Sequence, residues 1–473
     1  MGNVNNRLER DQQLNSGDPA SDGHASGLTM QDYRRNFRLG VINGALVTVA
    51  LAFQDPSMVL SWFLAQLGTS NILIGLVQPI RWGSSFMLQI LVSGYLQRKP
   101  YKMPFYLTVA VFRCLILVGL ALVVALIPLG SPWLVPGFFA IFIIYSLISG
   151  VIGLPFLDIV GKSILPSERG KFFGRRNLWG NLLVLGASAT VGYLLTEPLG
   201  LVFPLNVAVI FVLASLFRAS SSVVWSRIKE PQGVVDTSRV RWSEQLRRGV
   251  RLLKRDPQYR RFVLVRLALV PPGWVTPFYV VYAQDELGIP PQMIGVYLAV
   301  RTIGAVLSNL VWSRMSDRRG NRSIVQAASA LGISVPLLAL IVGFLVQRSP
   351  AEASWPAYAF ALVFMAMGAF GSGSMIAGMS YLLDIVPDSE RSLYLGFNST
   401  LFGIARFSAL ASGFLIDWFG FRALSALAVG FCVLSLVLSL GLGDQPIRSE
   451  IRDRRPLVPS RQKQQPECLA ARR

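Results

Sequence analysis

The sequence predicts an all-α membrane protein of 12 transmembrane helices in two pseudo-symmetric six-helix bundles. Three observations carry this. Of the 473 residues 52% are hydrophobic and only 15% charged, with a mean hydropathy of +0.50, where a soluble chain carries about a quarter charged residues. Apolar runs of about 20 residues recur along the chain, each long enough to cross roughly 30 Å of hydrocarbon as a helix. The third observation is a repeat: one half of the chain echoes the other.

Residues 1–37 are polar and lack a signal-peptide core, so they read as a disordered arm. Spans follow at 39–67, 72–96, 104–128, 133–157, 177–196 and 200–226. A basic linker, 227–261, separates these from spans at 262–284, 291–313, 323–347, 355–383, 395–416 and 422–442, and a basic tail closes the chain at 443–473. The domains expected are therefore 38–226 and 262–442. Alternation over about 10 residues, the mark of a transmembrane barrel, is missing.

The net charge of +20 does not point to nucleic acid, because the positive residues sit in alternate short connections. Only Arg348 and Arg422 fall in the opposite set. Positive residues mark the cytoplasmic side, which puts both termini and the linker there, in a cell-membrane protein. Cys114, Cys432 and Cys468 are scattered, and His24 lies in the arm. Neither a disulfide framework nor a metal site follows. No GxxxxGK[ST] loop supports ATP-driven transport, and no cofactor or enzymatic activity is expected.

In the repeat, Ile74-Gly75-Leu76-Val77-Gln78-Pro79-Ile80-Arg81 matches Ile294-Gly295-Val296-Tyr297-Leu298-Ala299-Val300-Arg301. Ungapped continuation aligns the segment from Ser93 to Lys102 with that from Ser313 to Arg322. Ser167-Glu168-Arg169-Gly170 matches Ser389-Glu390-Arg391-Ser392; Asp158 pairs with Asp384, Asn177 with Asn398, and Gly192-Tyr193-Leu194 with Gly413-Phe414-Leu415. Two like-oriented halves joined by a cytoplasmic link make a parallel duplication.

This pattern resembles the major facilitator superfamily over nearly the whole chain. The family's loop signature, roughly Gly-x-x-x-Asp-Arg-x-Gly-Arg-Lys/Arg, is kept in the second copy at Asp317, Arg318 and Gly320, with Ser313 at the first glycine. The first copy keeps Arg98 and Lys102 but has Gln97 at the Asp position and Pro100 at the second glycine. The resemblance implies two bundles around a central cavity that opens to alternate sides. The fifth span has no Gly-Pro pair, unlike the family's drug–proton antiporters.

Charge within the membrane is functional by default. The set is Asp55, Arg81, Arg113, Arg218, Arg266, Arg301 and Arg406. Arg81 and Arg301 lie near mid-depth at matching positions, where paired guanidinium groups suit a carboxylate or phosphate; bracing of neighbouring helices is the plainer reading. Trp82, beside Arg81, is the best aromatic cavity candidate, the other Trp and Tyr residues suiting the membrane interfaces. Asp55 is a candidate proton carrier, since burial favours the neutral acid and a nearby arginine the anion. Asp before Pro56 is equally a helix break whose carboxylate caps the next turn. Pro271-Pro272-Gly273 breaks the seventh span at a similar place.

A gating set is expected on the cytoplasmic side: Asp317 and Arg318 with Asp158, Glu168, Arg169, Asp384, Glu390 and Arg391, a charge lock whose plainer reading is a solvated face. Trp242 to Leu253 reads as an amphipathic helix on the anionic inner surface. The function expected is a monomeric secondary transporter of a small, anionic organic solute, coupled to protons. A multidrug or metabolite exporter, and a non-transporting sensor or assembly factor on the same scaffold, are the alternatives.

Overall fold

The structure is a computed structural model and describes residues 28–83, 92, 95–96, 98–233, 242–348, 355–387 and 390–443. His24, Gln97, Ser389, Cys468 and nearly all of the tail lie outside the described residues. Everything regular among the described residues is helical. Among the described residues eight helical stretches are long and apolar enough to span a membrane. The two longest, Met293–Val346 and Leu393–Leu440, are each double: Gly320 (φ 77°) and Gly420 (φ 76°) break them in the left-handed region that favours glycine. The eighth and ninth spans, like the eleventh and twelfth, are thus joined by a turn at one residue. The second span is described mainly over Asn71–Gly83.

Helices outrun the apolar stretches on the basic side. The first begins at Met30, inside the segment read as an arm, capped by Thr29 in a capping box with Asp32. The fifth begins at Arg169 rather than 177, and the seventh at Pro257, capped by Asp256. A helix satisfies its own backbone and need not stop where hydrocarbon stops. Trp242–Arg255 is helical, and its Gly249 and Leu252 pack toward Phe397 and the start of the eleventh span. That apolar face therefore meets protein.

One buried carboxylate ties the basic side of the amino-terminal half together. Glu230 accepts from the amides of Lys102 (2.8 Å) and Met103 (2.8 Å), the start of the third span, and pairs with Lys162 at 3.3 Å. Glu230→Ala leaves those amides buried and unpartnered and is expected to lower stability by about 2 kcal/mol, read as a fall in the thermal midpoint that Glu230→Gln only partly reproduces.

Within the amino-terminal half the first span packs on the fifth and sixth, and the third on the fourth and sixth; in the other half the eighth and ninth pack on the tenth and twelfth. Among the described residues the halves pack fifth on eighth, second on eleventh, and at the far ends of first and seventh. The first two contacts are exchanged by the duplication. Away from the basic loops the apolar core runs unbroken through both halves, from Phe53, Phe63 and Phe138 to Tyr297, Phe364 and Phe421. Toward the basic side it divides into two clusters, one per half. Among the described residues the core is therefore continuous at the far side and divided at the basic side.

Candidate functional site

Four helix breaks converge on the seam. Gln54 to Met58 interrupts the first span and Leu269 to Pro271 the seventh. In the second span Pro79 cannot donate to the helical ladder, and the next turn widens into a π-helical turn over Pro79–Gly83. A 3₁₀ turn, Arg406–Leu410, faces it from the eleventh span, with the Phe407 ring against Gly83.

Asp55 serves two structures at once. Its Oδ1 accepts from the amides of Ser57 (3.0 Å) and Met58 (3.0 Å) and from the Ser57 hydroxyl (2.8 Å), fixing the turn that leads into the helix Val59–Gln66. Its Oδ2 accepts from Arg301 Nη2 at 2.5 Å, while Arg301 Nη1 donates to Ser57 Oγ at 3.4 Å. The Asp55 side chain is 9% exposed and that of Arg301 26%. An ion pair between the first and eighth spans thus bridges the two halves.

Arg81, the other copy of the arginine, stays in its own half. It is 7% exposed, its guanidinium 4.9 Å from the Trp82 ring centroid and 5.8 Å from that of Tyr145. The π turn, which the second copy lacks, separates the two arginines' environments. Trp82 is 42% exposed and lines a seam cavity of about 220 Å³, with Gln78, Arg266, Trp274, Phe402 and Arg406 among its neighbours. Among the described residues that line it there is neither Arg81 nor Arg301, and no acidic residue.

Arg266 reaches the cavity across a glycine. Its Nη1 donates to the Ser374 carbonyl at 2.9 Å and its guanidinium lies 5.0 Å from the Phe402 ring centroid. A Cβ at Gly378 would sit 1.4 Å from Nη1. Sequence reasoning places Arg266 and Arg406 inside the membrane but not in the site. The useful signal is their proximity to breaks: Arg266 lies just before Pro271, and Arg406 opens the 3₁₀ turn.

The charged residues of the basic side keep mostly local company. Asp158 pairs with Lys162 (2.5 Å) and Glu168 with Lys171 (2.9 Å), Arg169 donates to the Gly161 carbonyl (2.5 Å), and Asp384 accepts from Asn321 (2.5 Å). These contacts stay within a half. Asp317, Arg318, Glu390 and Arg391 are exposed. On the far side, by contrast, Asn71 donates to Asp417 at 2.7 Å and Gln66 to Gln284 at 3.4 Å, both across the seam. Among the described residues no cluster of His, Cys, Asp or Glu could hold a metal.

Duplicated helical halves with a polar, charged seam between them are the build of a multi-pass membrane protein. Residues 272–467 match the Major Facilitator Superfamily. In backbone shape the chain is similar to a bacterial homologue of the iron transporter ferroportin in its inward-facing state (TM-score 0.65, 12% identity, covering 87% of this chain and 99% of that one). It is also similar to a variant of the nucleoside transporter NupG (0.64, 12%, 87% and 100%) and to a bacterial homologue of the human lysosomal transporter Spinster, inward-facing and unoccupied (0.57, 12%, 89% and 100%). No curated protein matches it in sequence. The family match, over the carboxy-terminal part of the chain, is to the family the repeated loop motif leads one to expect.

Proposed function

We propose that the protein moves a small organic anion across the cell membrane by alternating access, coupled to protons. The observation that carries this reading is the seam cavity, whose described lining holds two arginines, Arg266 and Arg406, two tryptophans, Trp82 and Trp274, and no carboxylate. Guanidinium groups beside aromatic faces suit a carboxylate or phosphate on a flat or apolar body. Its volume of about 220 Å³ is below the roughly 300–1,000 Å³ of sites for drug-sized ligands, which favours a small solute over multidrug export.

Trp82 is the member of the expected substrate-binding set that meets the solute, Arg81 backs its ring, and Arg301 works through Asp55. A proton arriving at Asp55 removes the charge that holds Arg301 and loosens the tie between first and eighth spans. With the positive loops cytoplasmic, the side where the core divides is the inner one. In the outward-open state the basic-side set then closes as a lock: Asp317 and Arg318 with the two Glu-Arg pairs, Glu168-Arg169 and Glu390-Arg391, and with Asp158 and Asp384.

The test is a thermal-stability screen of purified protein against simple mono- and dicarboxylates, phosphate esters and organic cations. Some anions are expected to raise the midpoint, and Arg406→Ala or Arg266→Ala to weaken their half-saturation about 10-fold or more, the worth of a charge-assisted bond. Stabilisation by cations alone would overturn the reading.

A further inference from the structure

Three arginines from three spans converge inside the amino-terminal half. Arg81, Arg113 and Arg218 are 7%, 4% and 2% exposed, around a Tyr145 that is 1% exposed. Arg218 Nη2 donates to the Tyr145 hydroxyl at 3.4 Å, Arg81 lies over its ring, and Arg113 is within electrostatic reach of both Arg218 and Tyr145. The Nε groups of Arg113 and Arg218 are buried without a hydrogen-bond partner among the described residues.

Around Arg113 and Arg218 the sequence offers no acidic counterpart. From Val59 to Leu157 there is neither Asp nor Glu, and none from Pro198 to Lys229. Asp55, the carboxylate within the spans of this half, has one oxygen on Arg301 and the other on Ser57 and Met58. Buried charges are normally paired, because an uncompensated one costs more than a fold of ordinary stability tolerates. Ala110 and Leu117, one turn either side of Arg113, are fully buried, as are Ala214 and Ser221 around Arg218. Such walls suit a bare ion better than an organic body.

We propose that a small monovalent inorganic anion, of the size of chloride, is bound in this cluster by the Arg113 and Arg218 N–H groups and the Tyr145 hydroxyl. It is a counter-ion of the bundle, separate from the seam cavity and its solute, and the assignment is independent of what that solute is.

The test is the thermal midpoint of the full-length protein in detergent, titrated with sodium chloride at constant ionic strength against sodium gluconate, with bromide and sulfate in parallel. Chloride and bromide are expected to raise the midpoint saturably, by about 3 °C at a hundredfold excess over half-saturation. Sulfate, the stronger general stabiliser of proteins, is expected to do less than chloride. In the double variant Arg113→Leu with Arg218→Leu the chloride dependence disappears; if that variant does not fold, the titration of the unmodified protein still decides. Equal midpoints in chloride and gluconate, sulfate ranking first, or an undiminished chloride response in the double variant would overturn the proposal. So would an ultraviolet difference spectrum against Tyr145→Phe that reveals a phenolate in chloride-free buffer, since the protein would then supply the negative charge itself.

Discussion

Adding one methyl group at Gly413 or at Gly295 is expected to hold the far side of the molecule open. A Cβ at Gly413 would lie 2.3 Å from Ile72 Cα and 2.6 Å from the Asn71 carbonyl oxygen; at Gly295 it would lie 2.5 Å from the Ser188 carbonyl oxygen and 2.6 Å from Gly192 Cα. These obstacles are backbone, so no side chain can swing aside. The two crossings are exchanged by the duplication, since Gly75 corresponds to Gly295 and Gly192 to Gly413. Overpacking of this kind costs about 1–3 kcal/mol, enough to shift a two-state equilibrium roughly 5- to 150-fold. The measurement is labelling of a cysteine introduced at Gln66 by a membrane-impermeant maleimide applied from the far side. Gly413→Ala and Gly295→Ala should each speed labelling by at least about 5-fold. Unchanged rates in both variants would mean that the glycine crossings do not seal that side.

Neutralising Asp55 is expected to have the other large effect. Removing one partner of a buried ion pair costs about 3–5 kcal/mol, and here the pair joins the halves. Asp55→Asn separates the two duties of the side chain: its amide oxygen can still accept from Ser57 and Met58, whereas the charge facing Arg301 is gone. Asp55→Ala loses both and should be less stable again by about 1 kcal/mol, the worth of a hydrogen bond. Thermal midpoints should therefore rank unmodified protein, Asp55→Asn, Asp55→Ala. Arg301→Ala combined with Asp55→Ala should lose less than the sum of the single effects, because the two groups share one interaction. Strict additivity would show that the 2.5 Å contact carries no energy.

Much of this architecture is legible in the sequence because the membrane imposes it. A helix must cross hydrocarbon as an apolar run, so the spans show. A duplication keeps its glycines and arginines in register, so Gly75 aligns with Gly295 and Gly192 with Gly413 from the residues alone. What alignment cannot give is the partner across the seam: that Gly75 abuts Gly413, not its own repeat mate, follows from the pairing of second with eleventh span. Helix ends such as Met30 and Arg169 are missed because polar residues continue a helix as readily as they begin a loop. Matched positions also need not mean matched surroundings. Pro79, absent from the second copy, opens a π turn and leaves Arg81 among Tyr145 and Trp82, while Arg301 crosses to Asp55. Arg266 and Arg406 stand in the intramembrane set, but only three-dimensional packing brings two residues 140 positions apart to one cavity. Asp55 reads in the sequence both as a cap and as a charge partner; one of its oxygens holds the turn ahead of the helix Val59–Gln66 and the other takes Arg301.

Coupling is tested most directly by proton movement driven by solute. Proteoliposomes loaded with a pH-sensitive dye would be given the anion that best stabilises the purified protein, and the change in internal pH followed for the unmodified protein, Asp55→Asn and Arg406→Ala. A solute-dependent proton flux is expected in the unmodified protein, falling at least about 10-fold in each variant, a loss of roughly 1.4 kcal/mol or more. Equal fluxes in all three, or solute entry with no accompanying proton in the unmodified protein, would contradict proton-coupled transport through this seam.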